Sequence, residues 1–216
     1  MNNNTAGIRK DYVFNEKNEL NGSTISKDPF TLFQEWFDKA LESDPSEANA
    51  MSLATSTKDG KPSVRTVLLK GFDKNGFLFF TNYHSRKGKE LEENPYASLL
   101  FFWRSLERQI RISGKTEKVS REDSEIYFHS RPYDSQIAAL CSDQSSVIPD
   151  RKYLDEKFIS LKEKFNGNEI PLPAFWGGFR LIPDNMEFWQ GRQNRLHDRI
   201  LFTKENNNWK TARLSP

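Results

Sequence analysis

The stretch Ser63-Val64-Arg65-Thr66-Val67-Leu68-Leu69-Lys70-Gly71-Phe72-Asp73-Lys74-Asn75-Gly76-Phe77-Leu78-Phe79-Phe80-Thr81 decides the fold. Residues 63–72 are rich in Val and Leu, Asp73-Lys74-Asn75-Gly76 supplies a tight turn, and residues 77–81 return as a second apolar run. Just upstream, Met51 and Leu53 alternate with small polar residues ahead of another turn, Lys58-Asp59-Gly60-Lys61. Alternation reads as half-buried strand, and Gly-containing turns between such runs join neighbours antiparallel. The prediction is a three-stranded meander.

Outward from this core, a short helix is expected over residues 85–93, stopped by Asn94-Pro95, with strands near 96–103 and 107–118, the second carrying Ile110 and Ile112 on one face. Ser120 and Asp123 have the spacing of a capping box that opens a helix through His129. A second helix is read from Pro132 to Ser142, and Leu154, Phe158, Leu161 and Phe165 mark a third on a charged segment. Strands return at about 174–183, 185–190, 199–204 and 208–213, with Asn206-Asn207-Asn208 as a turn. On the other side, Asp28-Pro29 caps a helix over residues 29–42 whose apolar face is Phe33, Trp36, Phe37, Ala40 and Leu41. Residues 1–27 are polar and Asn-rich and read as a flexible arm, leaving residues 28–216 as a single domain. About nine short strands with helices inserted in two places predict a mainly β (α+β) fold, an antiparallel closed or nearly closed barrel.

The charge balance of 32 basic against 30 acidic residues leaves a net +2, which does not fit a nucleic-acid binder. Cys141 is the only cysteine, so no intramolecular disulfide and no Cys-rich metal site can form, and alone it reads as a small buried apolar residue. No two-His metal spacing and no Ser-His-Asp arrangement occurs, so no metal is expected. The start lacks an apolar core of signal-peptide length, and no run of eighteen apolar residues appears anywhere. A soluble, cytoplasmic protein is expected.

Candidate functional residues gather in four places. Residues 189–199, Trp-Gln-Gly-Arg-Gln-Asn-Arg-Leu-His-Asp-Arg, carry three arginines and a histidine between two strands, with Gly191 read as the point that permits the bend. Arginine forks suit flat or anionic ligands, although such a hairpin is also what a surface salt-bridge cluster looks like. Arg65 and Lys70 stand five apart, so on a regular strand they face opposite sides unless a bulge intervenes. Ser85-Arg86-Lys87 joins a strand end to a helix start, where free N–H groups beside two cations form a phosphate site. Tyr127, Arg131 and Ser135 lie at i, i+4 and i+8, one face of a continuous helix, with Pro132 interrupting it, and Gln144-Ser145-Ser146 adds neutral donors. His129 alone reads as structural. No Gly-x-Gly-x-x-Gly or Walker loop is present. Two phosphate-type clusters and an Arg/His stretch without protein-based chemistry imply phosphorylated ligands and a cofactor that supplies the reaction.

Taken together, Arg-Thr-Val-Leu-Leu-Lys (65–70), Ser-Arg-Lys (85–87), Glu-Arg-Gln-Ile-Arg (107–111), Tyr-Phe-His-Ser-Arg-Pro-Tyr-Asp-Ser-Gln (127–136), Gln-Ser-Ser (144–146), Phe-Trp-Gly-Gly-Phe-Arg (175–180), Glu-Phe-Trp-Gln-Gly (187–191) and Arg-Leu-His-Asp-Arg (195–199) resemble the pyridoxine (pyridoxamine) 5′-phosphate oxidase family. The resemblance runs from about Asp28 to Pro216. It implies an FMN-binding split β-barrel that works as a homodimer with FMN at the subunit interface. It assigns FMN to Arg65, Thr66, Val67, Leu68, Leu69, Lys70, Phe80, Thr81, Arg86, Lys87, Gln109, Gln144, Ser145, Trp189 and Arg199. The substrate phosphate falls to Lys70, Tyr127, Arg131 and Ser135, and the pyridine ring to Arg195 and His197, which are also the catalytic pair. The N-terminal arm would close over substrate through Arg9 and Tyr12. The implied reaction is oxidation of pyridoxine 5′-phosphate or pyridoxamine 5′-phosphate by O2 to pyridoxal 5′-phosphate, with H2O2 and, from the amine, ammonia. The competing readings are another flavin-linked enzyme on the same barrel, which would not need the cluster at 127–135, and a non-catalytic carrier, which would not need Arg195 and His197.

Overall fold

The computed structural model describes Gly7, Asp11, Tyr12, Leu20 and residues 25–206 and 208–216. Most of the expected N-terminal arm, Arg9 included, and Asn207 of the expected Asn turn lie outside the described residues. Among the described residues, five α-helices accompany a nine-stranded sheet. In chain order the elements are α1 (Pro29–Ser43), β1 (Ala50–Ser56), β2 (Pro62–Leu68), β3 (Gly71–Asp73), β4 (Gly76–Asn82), α2 (Arg86–Glu93), β5 (Tyr96–Trp103), β6 (Arg108–Lys118), α3 (Arg121–Ser130), α4 (Tyr133–Cys141), α5 (Arg151–Phe165), β7 (Trp176–Gln190), β8 (Asp198–Glu205) and β9 (Asn208–Arg213). Neighbouring strands follow the order β2-β1-β5-β6-β7-β4-β3, with β8 paired to β7 and β9 to β8. The pairs β3–β4, β4–β7, β7–β8 and β8–β9 are antiparallel. No helix among the described residues is long and apolar enough to cross a membrane.

Two expectations about strands are corrected. Residues 63–72 are two strands, because the chain leaves the ladder at Leu69–Lys70 before β3 takes up a new register, Gly71 opposite Leu78. The segments 174–183 and 185–190 are one strand, β7, running through Pro183. Its register with β4 ends at Leu181 and that with β8 begins at Asn185, so in neither of these is the missing Pro183 N–H required.

The chain divides into two compact units, one made of Met1–Met51, Leu99–Ser113 and Pro183–Pro216, the other of Ser52–Ser98 and Gly114–Ile182. In the first, Asp28 caps α1 by accepting from the backbone N–H groups of Phe30 and Thr31, and Pro29 takes the first turn where its missing N–H costs nothing. The helix buries Phe33, Trp36 and Ala40 of the expected face, with Pro29 and Leu32 beside them; Phe37 is half-buried and Leu41 is 39% exposed. Phe33 meets Phe101 edge-on at 5.3 Å and Trp36 meets Phe188 at 5.3 Å, so this core is largely aromatic.

In the second unit Phe79 stacks on Phe179 at 5.8 Å. Phe128, Ile137, Ile170, Leu172 and Trp176 form a core cluster against which Phe158, Leu161 and Phe165 of α5 pack. The Ser120–Asp123 capping box forms as read: Ser120 Oγ accepts from the Asp123 N–H at 2.9 Å and donates to its carboxylate at 2.6 Å. The β3–β4 turn depends on Gly76, whose φ of +136° lies where side chains are strained and whose added Cβ would overlap the Leu181 carbonyl. Replacing Gly76 by Ala is therefore expected to destabilise the fold by about 2 kcal/mol or more, read as a fall in the urea midpoint at unchanged slope. A midpoint equal to that of the parent chain would show that the turn tolerates a side chain.

Candidate functional site

A cavity of about 880 Å3 opens in the second unit. One wall is β2, whose alternate residues Ser63, Arg65 and Val67 are half-buried while Val64, Thr66 and Leu68 are exposed. Arg65, Thr66, Val67, Leu68 and Lys70 all line the cavity, and Leu69 does not, being 4% exposed in the core. Arg65 and Lys70 share one cavity in spite of their odd spacing, because it is lined from both faces of β2, by Thr66 and Leu68 as well as by Arg65 and Val67. Phe80 and Thr81 enter from β4, Arg86 and Lys87 from the start of α2, and Gln144 and Ser145 from the loop after α4.

Tyr127, Arg131 and Ser135 also reach this cavity, though not from one helix. Helix α3 ends at Ser130, Arg131 is its extended C-cap, and Pro132 is the N-cap of α4, so the chain turns between the members of the trio. Tyr127 stacks on Phe80 with ring centroids 3.9 Å apart, and the Arg131 guanidinium lies 4.9 Å from the Trp176 ring centre. Arg131 Nη1 is buried and has no hydrogen-bond partner among the described residues. His129 takes the structural place expected of it, bonded through Nε2 to the Ile170 carbonyl at 3.0 Å.

The electrostatics of the cavity's other end turn on Glu90, which sequence reading missed. Glu90 Oε2 accepts from Thr55 and Ser63 at 2.5 Å each and from Arg65 Nη2 at 3.3 Å, and Oε1 accepts from Arg86 Nε at 2.8 Å. Only the Arg86–Glu90 spacing of four was visible in sequence; Thr55, Ser63 and Arg65 arrive from β1 and β2. Lys87 Nζ, with the residue 8% exposed, donates to Gln144 at 2.7 Å, Thr81 at 3.1 Å and Ser85 at 3.3 Å, all neutral oxygens. Burial, and then the Arg65 charge, push its pKa down to about 8. Ser145 Oγ accepts the Arg86 backbone N–H at 3.2 Å, so the helix N-terminus faces the same space. A buried cation held by neutral groups, an unpartnered guanidinium nitrogen and a helix start fit an anion as a phosphate ester presents it.

The remaining predicted residues lie in the first unit. The stretch 189–199 is the β7–β8 connection, with Trp189 opposite Arg199 and Gln190 opposite Asp198. The bend is taken at Asn194 (φ 56°) and Arg195 (φ 61°), not at Gly191. Gly191 is needed for space, since a Cβ there would run into the Tyr12 ring. Tyr12 sits edge-on to His197 at 5.1 Å and to Trp189 at 5.7 Å, and the His197 and Trp189 rings are 4.6 Å apart. The Arg192 N–H donates to His197 Nδ1 at 3.1 Å, which needs that nitrogen unprotonated and puts the ring proton on Nε2. Burial, and then the Arg195 charge, lower the His197 pKa, which favours this neutral ring. Arg195 is exposed. Arg199 donates to Glu187 at 2.7 Å, and buried Glu187 also holds Arg111 at 2.5 Å. Gln109 is half-buried on β6.

With this geometry in view, the comparisons with known proteins agree. Residues 37–162 match the family described as Pyridoxamine 5'-phosphate oxidase, and residues 176–216 match the Pyridoxine 5'-phosphate oxidase C-terminal dimerisation region. The chain is 53% identical over 212 residues, 98% of its length and 99% of the relative's, to a pyridoxine/pyridoxamine 5'-phosphate oxidase of Rippkaea orientalis. It is 51% identical to the one of Leptospira biflexa over 99% of this chain and 100% of that one. Among solved structures it is similar to PhzG from Burkholderia lata, crystallised with tetrahydrophenazine-1-carboxylic acid, at TM-score 0.86 and 33% identity over 95% of this chain and 98% of that chain. The fold class read from the sequence is the one found: fold and cavity define an enzyme of the antiparallel split β-barrel class with flanking helices. The chain belongs to the pyridoxine/pyridoxamine 5'-phosphate oxidase family.

The Glu90 carboxyl gives the cavity a pH signature of its own. Burial raises its pKa, but the Ser63, Thr55 and Arg86 hydrogen bonds and the Arg65 charge outweigh that and hold it at about 2, against 4.5 for a free side chain. A depressed pKa stabilises the fold above the unfolded value and the gain is lost as pH falls towards the folded one. We therefore expect Glu90→Gln to remove about 3 kcal/mol of the acid-dependent stability, so that unfolding free energy changes less between pH 5 and pH 2 than in the parent chain. Superimposable pH profiles would mean that Glu90 is not ionised where the structure pairs it.

Proposed function

We propose that this chain is an FMN-dependent oxidase that converts pyridoxine 5′-phosphate and pyridoxamine 5′-phosphate to pyridoxal 5′-phosphate, in vitamin B6 salvage and pyridoxal phosphate biosynthesis. The observation that carries the reading is that one cavity gathers both phosphate-type clusters, Arg65 with Arg86 and Lys87, and Lys70 with Tyr127, Arg131 and Ser135. Family membership over nearly the whole chain supports it, and a solved FMN-binding protein of Nostoc punctiforme shares the fold at TM-score 0.68 and 16% identity. The match to a dimerisation region supports a homodimer, with FMN at the subunit interface.

The residues that would hold FMN are Arg65, Thr66, Val67, Leu68, Lys70, Phe80, Thr81, Arg86, Lys87, Gln144 and Ser145 in the second unit, with Gln109, Trp189 and Arg199 in the first. Leu69 would act only through its backbone, since its side chain is in the core. The chemistry that FMN would supply there is two-electron oxidation of the substrate's C4′ carbon at the expense of O2, which would become H2O2; the alcohol would give the aldehyde directly, and the amine would give it with water consumed and ammonia released. The protein's own groups align and assist. Lys70, Tyr127, Arg131 and Ser135 bind the substrate phosphate, spending remote binding energy on orientation of the ring. Arg195 orients the pyridine. His197, its Nδ1 occupied by the Arg192 N–H, exchanges the proton of the C4′ substituent through Nε2. Tyr12, against His197 and Trp189, contributes to closure over substrate; Arg9 is assigned the same part.

The deciding experiment mixes FMN-loaded protein with pyridoxine 5′-phosphate without oxygen. The expected result is bleaching of the flavin's visible absorbance, recovery on admitting air, and formation of pyridoxal 5′-phosphate. A bound flavin that stays oxidised would reject the substrate, and protein that binds no flavin would reject the cofactor. Lys87 supplies a second check. Its ammonium is half deprotonated near pH 8 without an anion beside it, so phosphate binding above that pH must recapture a proton. FMN affinity should therefore fall by up to about tenfold per pH unit above pH 8, and Lys87→Met should bind more weakly with that slope gone. An unchanged slope in the variant would take Lys87 away from the phosphate.

A further inference from the structure

Arg108 is the chain's least explained buried charge. The residue is 3% exposed, its Nε donates to Gln190 Oε1 at 2.9 Å, and its guanidinium lies 4.4 Å from the Trp36 ring centre. Its Nη1 is buried, with no hydrogen-bond partner among the described residues. No carboxylate offsets it: burial alone drags its pKa down to about 10. A buried cation without a counter-charge is costly, and an apolar side chain in its place is often neutral or stabilising. Stability therefore does not account for it.

We propose that Arg108 is a positioning residue that fixes the entry to the segment 191–197 by locking the side chain of Gln190. An amide that accepts from Arg108 through Oε1 must point its NH2 the other way. There Gln190 Nε2 donates to the carbonyls of Leu106 at 3.2 Å and Glu107 at 3.3 Å. The Glu107 carbonyl also receives the Gly191 N–H at 2.8 Å, and Glu107 is held in a left-handed conformation, φ 55°. Gln190, itself 2% exposed, thus ties the last residue of β7 and the first of the loop to the turn before β6. Five and seven residues after Gln190, the loop presents Arg195 and His197, the former with its own φ of 61°. Such a backbone is kept only where its surroundings over-determine it. The functional weight of the clamp rests on the reading above that Arg195 and His197 meet the substrate.

The test is Arg108→Met, with Gln190→Met removing the same bond while leaving the cation, and the double variant. Local amide hydrogen exchange at residues 191–197 is expected to quicken about tenfold in each single variant, with thermal midpoint in Arg108→Met equal to or above the parent's. On FMN-loaded dimer, kcat is expected to fall about tenfold, with KM and FMN affinity within about twofold, because a small misplacement of aligned groups costs rate before binding. The double variant should lose no more than the worse single, as partners in one contact do. Unchanged exchange in the loop or unchanged kcat overturns the assignment. A joint fall of midpoint, FMN affinity and kcat also overturns it, making Arg108 a structural residue. Should the parent protein turn over no pyridoxine 5′-phosphate, the substrate reading fails, and the exchange comparison still decides whether the clamp exists.

Discussion

Helix α2 cannot be held in place by apolar burial, and the carboxylate of Glu90 does that work instead. Its eight residues bury Lys87, Gly88, Glu90 and Leu91, of which only Leu91 carries an apolar side chain of any size. Glu90 takes hydroxyls from β1 and β2 and two guanidinium groups, one from β2 and one from its own helix. Burial first, and the neighbouring Arg86 charge least, push the Arg65 pKa down, while the Glu90 carboxylate between the two guanidinium groups pulls it up and bridges them. The cavity-lining start of α2 therefore has a buried carboxylate behind it. Removing one partner of such a network leaves the others desolvated and unpaired, which costs more than the net worth of any single bond.

Much of the fold was legible because the strands announce themselves by alternation and by Gly-bearing turns. Met51, Leu53, Ile110 and Ile112 are buried as that alternation requires. The departures fall where local pattern carries no information. Val67, Leu68 and Leu69 form an unbroken apolar run, so nothing local marks the break before Lys70; a change of partner decides it, β2 lying beside β1 and β3 pairing with β4. The segments 174–183 and 185–190 read as separate strands, yet β7 runs through Pro183, which falls outside its registers with β4 and β8. On α1, the choice between Leu32 and Leu41 was made by the aromatic core that the helix covers, through Phe33 and Trp36.

The site was legible as clusters rather than as geometry. Arg65 and Lys70, odd in spacing, meet in one cavity that is lined from both faces of β2, while Tyr127, Arg131 and Ser135 meet through a chain turn at Pro132 instead of along one helix face. Gly191 was singled out for its backbone freedom and is in fact required for its lack of a side chain under Tyr12. Glu90 was passed over, and Trp176 and Arg108, though inside quoted motifs, were given no role of their own, for a common reason. Each acts on partners far away in sequence: Thr55 and Ser63 for Glu90, Arg131 for Trp176, Gln190 for Arg108. Motif spacing cannot reveal a contact of that kind.

The buried cations sort themselves by what offsets them, and that sorting separates folding from function. Arg65 is answered by Glu90, so its charge belongs to the folded chain itself. Lys87 is answered only by neutral oxygens, and Arg131 keeps one nitrogen with no partner; both line the cavity, where an anionic ligand can complete them. For these two the cost of desolvation is already met in folding, so a phosphate ester gains the interaction without having to strip water from the cation. Arg108 fits neither case, having an aromatic face and an amide in place of an anion. A charge that neither the fold nor a ligand neutralises has its return in the geometry it enforces, and the geometry Arg108 enforces is that of the strand end from which the Arg195 and His197 loop departs.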